Sequence, residues 1–200
     1  MLRIGITGGI GSGKTTIARI FELLKVPVYY ADKAAKRLYE TDHEMMLAIR
    51  DQFGDEVYTD NQLNRSALAA MVFHDPTKLE LLNSIVHPRT IRDAELWMQK
   101  QDAPYVIKEA ALIFESSSAS GLDYVIGVKS PIHYRIQRVM ERDGVSREAF
   151  YERANRQIDE EIKMKLCDFL IINNEQEMVI PQVLQLHSHL LQLAKQHKIN

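Results

Sequence analysis

Short apolar segments alternate with longer helical patterns along most of this 200-residue chain. The apolar segments predict five strands, at residues 2–7, 26–30, 105–110, 123–129 and 169–172. Strands that alternate with helices usually form a parallel sheet that is covered on both faces. We therefore predict an α/β fold in which a five-stranded parallel sheet is flanked by helices.

One long segment interrupts this alternation. Residues 32–101 carry an almost wholly helical pattern, which is too long for a simple crossover between two strands. Thr41 with Glu44 has the pattern of a capping box, and Pro88 is expected to break or restart a helix. We interpret the segment as a helical domain that is inserted at the edge of the site.

The helical pattern returns after the fourth strand. The Ser130-Pro131 pair is expected to cap a helix that runs to about Arg142, and a turn at Asp143-Gly144 separates it from the next helix. A last amphipathic helix is predicted over about residues 175–196.

The first loop of the chain has the pattern of a phosphate-binding loop. Residues 8–15 match G-x-x-x-x-G-K-[ST], with a strand before them and a helix after them. Such a loop directs backbone N–H groups at phosphate oxygens, while its lysine reaches the outer phosphates and its hydroxyl binds Mg²⁺. The motif predicts a nucleoside triphosphate site formed by Gly9, Ile10, Gly11, Ser12, Gly13, Lys14, Thr15 and Thr16.

A phosphate-binding loop is compatible with several classes of protein: a GTPase, a motor or transporter ATPase, a nucleotide sensor or a small-molecule kinase. Residues 51–54 fit the D-x-x-G pattern of a GTPase switch, but they lie in a helical pattern and no N-K-x-D motif follows. The chain is also short for a motor or transporter module. A small-molecule kinase is the favoured interpretation.

Acidic residues follow the strands beside the loop. Asp32 follows the second strand, where a carboxylate can accept a hydrogen bond from an acceptor hydroxyl; the alternative is that it only caps the next helix. Glu109 ends the third strand and is a candidate for the Mg²⁺ site, unless it merely pairs with a neighbouring lysine. Glu115 lies just beyond it, and its role is more ambiguous.

Arginines are concentrated in the predicted helices that follow the fourth strand. Arg135, Arg138 and Arg142 are three and four residues apart, so they share one helix face. Such a face is usually only solvated, but here it follows a strand of a phosphate-loop fold. The planar guanidinium can bind a transferring phosphoryl group, and we expect this role for Arg138 and Arg142 first and for Arg153 third.

The order of the motifs along the chain carries a family resemblance. The matching segments are "TGGIGSGK", "ADKAAKRL", "LNRSALAAMVF", "LLNSIVHPRT", "LIFES", "RIQRVMERDGVS", "RANRQ" and "CDFLIINN". Over essentially its full length the chain resembles the dephospho-coenzyme A kinase family. The resemblance implies transfer of the γ-phosphoryl of ATP, with Mg²⁺, to the ribose 3′-hydroxyl of dephospho-coenzyme A. The alternative is a kinase for another small hydroxyl acceptor.

The resemblance also implies roles for individual residues. Asp32, Lys14 and Arg138 are expected to be catalytic and Thr15 to hold the metal ion. Glu109 remains the further metal candidate that its position after the third strand suggests. Arg138, Arg142 and Asn173 join the loop in binding the nucleotide. The expected substrate-binding residues are Thr7, Asp32, Arg65, His87 and Glu115.

The resemblance divides the chain into three parts. Residues 1–31, 104–134 and 167–200 are expected to form the nucleotide-binding core, residues 32–103 the substrate domain and residues 135–166 the lid. Two positions depart from the family pattern. Tyr30 stands where an acidic residue is usual, and Ala111 where a proline is usual, which leaves the role of Glu115 in question.

Composition adds the remaining expectations. A net charge of −2 and a pI near 6.4 provide no overall field for nucleic acid or an anionic membrane. A single cysteine, Cys167, fits a reducing compartment, and no apolar run is long enough to span a bilayer. We expect a cytoplasmic protein with no nucleic-acid or membrane partner. A monomer is expected, and a weak oligomer through the leucine-rich last helix is the alternative.

Overall fold

The computed structural model describes residues 1–73, 75–116 and 118–197. In chain order the strands are β1 (Leu2–Thr7), β2 (Val28–Tyr30), β3 (Tyr58–Thr59), β4 (Gln62–Leu63), β5 (Tyr105–Glu109), β6 (Tyr124–Lys129) and β7 (Phe169–Ile172). The helices are α1 (Lys14–Leu23), α2 (Ala31–Thr41), α3 (His43–Phe53), α4 (Arg65–Val72), α5 (Pro76–Gln99), α6 (Ile132–Asp143), α7 (Arg147–Ala154), α8 (Glu160–Lys165) and α9 (Val179–His197).

Within the described residues, five strands form one sheet in the order β2-β5-β1-β6-β7. The parallel register pairs Ile4 of β1 with Ile107 of β5 and with Tyr124 of β6. The central strands are apolar on both faces because helices cover both, as parallel sheets require. The predicted five-stranded parallel sheet is confirmed.

The chain divides into two compact units. The first comprises Met1–Tyr29 and the described residues of Lys100–Asn200, and the second comprises Tyr30–Gln99. These limits lie within a few residues of the predicted borders of the helical domain. Residues 135–166 fall in the first unit, and their assignment as a lid stays a prediction.

The second unit has its own apolar core. Met45, Ile49 and Phe53 of α3 are buried at intervals of four, which gives that helix one apolar face. This face packs in a cluster with residues of α4 and α5, such as Leu68 and Leu82.

The second unit also contains a small hairpin, β3–β4, that the sequence analysis missed. It turns at Asp60 and Asn61, which both have positive φ angles, of 50° and 62°. Aspartate and asparagine tolerate this conformation, and a pair of them between two short strands is a hairpin signal. The Asp60-Asn61 dipeptide could therefore have predicted it.

Some predicted helix boundaries were wrong. Thr41 does not cap α3: its hydroxyl donates to the Arg37 carbonyl within α2, and the Asp42 side chain accepts from the Met45 N–H instead. Pro88 lies inside the continuous helix α5. Buried residues on both sides of the proline hold that helix against its unit, and the ring itself is exposed.

The second strand and the last helix also begin later than predicted. The second strand starts later than predicted because Lys25 has a φ of 64° and the Val26 N–H donates back to Phe21, which closes α1. The last helix begins at Val179 because Asn174 caps a separate turn before it.

None of the helices in the described part of the chain combines the length and the apolar character that crossing a bilayer requires.

Candidate active site

The phosphate loop connects β1 to α1 in the first unit. Gly13 precedes the helix, and Lys14 is the first helical residue. The loop therefore lies at a helix N-terminus, where unpaired N–H groups and the helix dipole favour an anion. The strand–loop–helix context that the motif requires is confirmed.

A cavity of about 290 Å³ opens at this loop. Its walls combine loop and α1 residues with arginines of α1 and α6, and they are formed by Gly11, Gly13, Lys14, Thr15, Thr16, Arg19, Arg138 and Arg142. Arg19 was missed at the sequence level. It follows Thr15 by four residues on α1, so helical spacing alone could have placed the two on one face.

Thr15, which lines this cavity, contacts Glu109. The Thr15 hydroxyl donates to Glu109 Oε1 at 3.3 Å, and the Lys14 ammonium lies 4.0 Å from the same oxygen. Glu109 is buried at the end of β5, and parallel pairing with β1 brings it beside the loop. A hydroxyl and a carboxylate oxygen this close form a donor set that suits Mg²⁺, which takes few protein ligands and keeps water or phosphate at its other positions.

Arg138 is held by three oxygen acceptors. Its guanidinium donates to Ser130 Oγ at 3.1 Å and to Glu175 Oε1 at 3.1 Å, and it lies 3.5 Å from the Gly11 carbonyl. Ser130 was expected to cap α6, but its side chain makes no cap hydrogen bond there. It instead orients Arg138 toward the loop.

Arg142 and Arg153 share one carboxylate. Asp143 accepts from Arg142 at 2.7 Å and from Arg153 at 2.8 Å. The hydrogen bond from Arg142 lowers the pKa of the Asp143 carboxyl and raises that of the guanidinium. Arg142 lines the cavity at the phosphate loop, whereas Arg153 and Asp143 do not line it.

Arg135 does not line this cavity. Its side chain is only 5% exposed, against 27% for Arg138 and 63% for Arg142. It donates to the Ile10 carbonyl at 2.9 Å and forms an ion pair with Glu160. Burial lowers the pKa of this guanidinium. The three arginines therefore do not act as one basic face.

Asn173 follows β7 and contacts the loop. Its side-chain amide donates to the Ser12 carbonyl at 2.8 Å, and its backbone N–H donates to Lys129. This position beside the loop is compatible with the expected nucleotide contact, which stays a prediction.

In the first unit, two residues that were expected to contact the substrate already pair with other protein groups. The Thr7 hydroxyl is buried and donates to the Ala111 carbonyl at 3.2 Å. Glu115 Oε1 pairs with the Lys163 ammonium at 2.8 Å and accepts from the Ile158 N–H at 3.1 Å. Their substrate contacts stay predictions.

The second unit carries Asp32, Arg65 and His87. Asp32 is exposed in the first turn of α2 and does not cap that helix, because α2 has no side-chain cap hydrogen bond. Arg65 begins α4, pairs with Glu40 at 3.5 Å and lines an apolar cavity of about 270 Å³.

His87 lies on α5 and is half-buried, and this burial lowers the pKa of its imidazole. Within the second unit, Arg65 and His87 do not line that same cavity. Their joint role in binding one substrate stays a prediction.

A family model, curated relatives and solved structures all indicate one family. The family model described as dephospho-CoA kinase matches residues 2–178. A dephospho-CoA kinase of Bacteroides fragilis is 35% identical over 192 residues, which cover 96% of this chain and 94% of the relative.

Solved structures agree. A Thermus thermophilus crystal structure superposes with a TM-score of 0.83 at 34% identity, covering 94% of this chain and 96% of that one. A dephospho-CoA kinase from Campylobacter jejuni gives a TM-score of 0.62 at 25% identity, with coverages of 94% and 96%. These matches span nearly the whole chain, so it belongs to the dephospho-CoA kinase family, whose reaction transfers the γ-phosphoryl of ATP to the ribose 3′-hydroxyl of dephospho-coenzyme A.

Proposed function

We propose that the first unit binds ATP with Mg²⁺, that the second unit binds dephospho-CoA, and that Asp32 orients the acceptor hydroxyl. One observation carries the donor half of this proposal. Arg138 and Arg142 of α6 line the same cavity as Lys14 and Thr15 of the phosphate loop. Phosphoryl transfer depends mainly on positioning and on stabilising charge, and this cavity gathers the cations that do both.

The residues proposed to bind ATP have different chemical roles. Backbone N–H groups of residues 9–16 bind the phosphates, and Lys14 reaches the outer ones as a point charge. Arg138 and Arg142 supply planar guanidinium groups for the charge that develops on the transferring phosphoryl. Asn173 supports the loop through the Ser12 carbonyl.

Thr15 and Glu109 are the residues that would hold Mg²⁺. Their oxygens are 3.3 Å apart, and the Lys14 ammonium lies 4.0 Å from the Glu109 carboxylate. Mg²⁺ held by these two residues would offset the negative charge of the ATP phosphates. The alternative role of Glu109, pairing with a lysine, is part of the same arrangement rather than a rival to it.

Asp32 is proposed as the catalytic aspartate of the acceptor. It follows the carboxyl end of β2, and in open parallel sheets ligands bind at that edge. Its carboxylate is exposed and does not cap α2, which leaves it available to accept a hydrogen bond from a hydroxyl.

The apolar cavity of the second unit supports acceptor binding there. Tyr39, Leu63 and Leu68 contribute apolar walls, and Lys36 and Arg65 contribute cations. A ligand that joins an apolar chain to phosphates, as dephospho-CoA does, matches this combination. We propose His87 and Glu115 as further substrate contacts and residues 135–166 as the lid.

A coupled assay of ADP release tests the proposal. Dephospho-CoA should stimulate ADP release from ATP, whereas adenosine, AMP and gluconate should not. Chelating Mg²⁺ should abolish the stimulation. A higher rate with AMP or gluconate than with dephospho-CoA would instead identify a kinase for another hydroxyl acceptor and contradict the assignment.

A further inference from the structure

Arg135, Arg138 and Arg142 share one face of α6. Of these three, Arg135 contacts the phosphate loop without lining the 290 Å³ cavity at that loop. Its Nε donates to the Ile10 carbonyl at 2.9 Å, and its guanidinium forms an ion pair with Glu160 at the start of α8. A buried guanidinium needs a compensating charge and filled hydrogen-bond sites, because the interior solvates it poorly. Glu160 supplies that charge.

The loop is shaped to receive this side chain. A Cβ added to Gly9 would lie 2.3 Å from Arg135 Nη2, and one added to Gly11 would lie 2.5 Å from the Arg135 carbonyl oxygen. Two glycines of the phosphate loop therefore allow the close approach of α6. The glycines that the motif demands also serve contacts on the side of the loop away from the phosphates.

The same loop residue is held from a second direction. The Ile10 N–H donates to Gln157 Oε1 at 3.0 Å, and Gln157 lies in the connection between α7 and α8. Both polar groups of the Ile10 backbone are thus bound by side chains of residues 135–160. The loop's backbone position is tied to this segment rather than set by the loop alone.

Glu160 is itself fixed in place. Asp159 caps α8 by accepting from the Glu161 and Ile162 N–H groups, which sets the first turn of that helix. Lys163, one turn later, is fully buried and pairs with Glu115. Next to these residues lies a cavity of about 530 Å³ that is lined by Gly9, Arg135, Gln157 and Glu160, among others.

We propose that Glu160 is a positioning residue for ATP binding: it holds Arg135 on the Ile10 carbonyl and thereby keeps the phosphate loop in the conformation that binds phosphate. Glu160 does not line the nucleotide cavity, so it acts through Arg135. The inference rests on the proposed role of the loop in binding ATP.

The test compares two glutamates of one helix turn. Glu161 is also in the first turn of α8, but its side chain is exposed. Glu160→Ala should weaken ATP binding about tenfold, as the loss of a hydrogen bond to a charged group does, whereas Glu161→Ala should bind ATP as the wild type does. Binding of ATP is measured by calorimetry without acceptor, so catalysis does not enter.

Three further measurements separate positioning from general destabilisation. Glu160→Gln keeps an oxygen acceptor for Arg135 but not the compensating charge, so it should recover only part of the lost affinity. The KM for dephospho-CoA should be unchanged in Glu160→Ala. Adding Glu160→Ala to Arg135→Met should weaken ATP binding no further than Arg135→Met does, since both break the same contact.

Equal ATP affinity in Glu160→Ala and Glu161→Ala would overturn the proposal. So would an equal loss of affinity for both substrates together with a lower unfolding temperature, because that result indicates only a structural role. If Glu160→Ala does not fold, the ATP affinities of Glu160→Gln and Arg135→Lys decide instead. Failure of the wild type to bind ATP would refute the proposed function rather than this inference.

Discussion

The phosphate-loop region and the helical unit hold their predicted functional residues in different ways. Around the loop, Thr15 contacts Glu109, Arg138 contacts Ser130 and Asn173 contacts Ser12. In the helical unit, Asp32, Arg65 and His87 lie on three separate helices, α2, α4 and α5.

This difference reflects how each region is built. A parallel sheet brings the ends of neighbouring strands to one edge, so residues that are distant in sequence meet by topology. A helical unit depends instead on the packing of each helix through its apolar core. On the proposed function, the donor residues are therefore preorganised by the sheet, whereas acceptor recognition depends on the packing of one helical unit.

The largest effect is expected at Asp32. Asp32→Asn should lower kcat by roughly a thousandfold, because an amide accepts a proton far more weakly than a carboxylate. ATP affinity should stay as in the wild type, since the donor residues lie in the first unit. Steady-state kinetics and ATP calorimetry provide the two readouts.

Asp51→Asn is the matched control, because Asp51 is an exposed aspartate on another helix of the same unit. It should leave both constants unchanged. Near-normal turnover of Asp32→Asn would contradict the catalytic role and leave Asp32 with no more than a structural one.

A smaller effect is expected at Arg138, on the donor side of the comparison. Arg138→Lys should lower kcat about a hundredfold, as loss of one transition-state donor does. A lysine keeps the charge but cannot reach Ser130 and Glu175 together in the planar geometry of a guanidinium. The KM for either substrate should change much less.

Arg147→Lys is the control for Arg138→Lys, because Arg147 is an exposed arginine on α7. Its kinetic constants should match those of the wild type. An unchanged kcat in Arg138→Lys would mean that the α6 arginines only face solvent or structural partners.

The smallest effects are expected from two glycines. Gly9→Ala forces Arg135 to move and should destabilise the protein by about 2 kcal/mol, as overpacking does, while weakening ATP binding. Gly144 has a φ of 64°, and no atom of the described residues, its chain neighbours apart, lies within 4 Å of a Cβ added there. Gly144→Ala should cost about 1 kcal/mol from backbone strain alone and leave ATP affinity unchanged.

Denaturant unfolding and ATP calorimetry measure both glycine variants. ATP affinity that is unchanged in Gly9→Ala would show that the loop tolerates displacement of Arg135. A similar loss in both variants would show that affinity follows stability rather than loop position.

Much of the donor site could be predicted from the sequence because its signals are local. The loop motif, the strand before it and the helix after it lie within the first 23 residues. The arginine spacing on α6 likewise predicted that Arg138 and Arg142 could act together, and both line the loop cavity.

Helical spacing alone could not predict that Arg135 and Arg138 make different contacts, because both lie on one predicted face. Their different contacts depend on Glu160 and Ser130, which belong to other elements. Periodicity specifies the face of a helix but not its neighbours. For the same reason, the sequence could not predict that Pro88 lies inside a continuous helix, since packing on both sides of it outweighs the local preference.

Kinetic constants for both substrates in Arg65→Ala and Arg142→Ala test the division of labour most directly. Arg65→Ala should raise the KM for dephospho-CoA about tenfold, as loss of one charged contact does, with the KM for ATP unchanged. Arg142→Ala should raise the KM for ATP and leave that for dephospho-CoA unchanged. If Arg65→Ala instead raised the KM for ATP, or left both constants unchanged, the two units would not divide donor and acceptor as proposed.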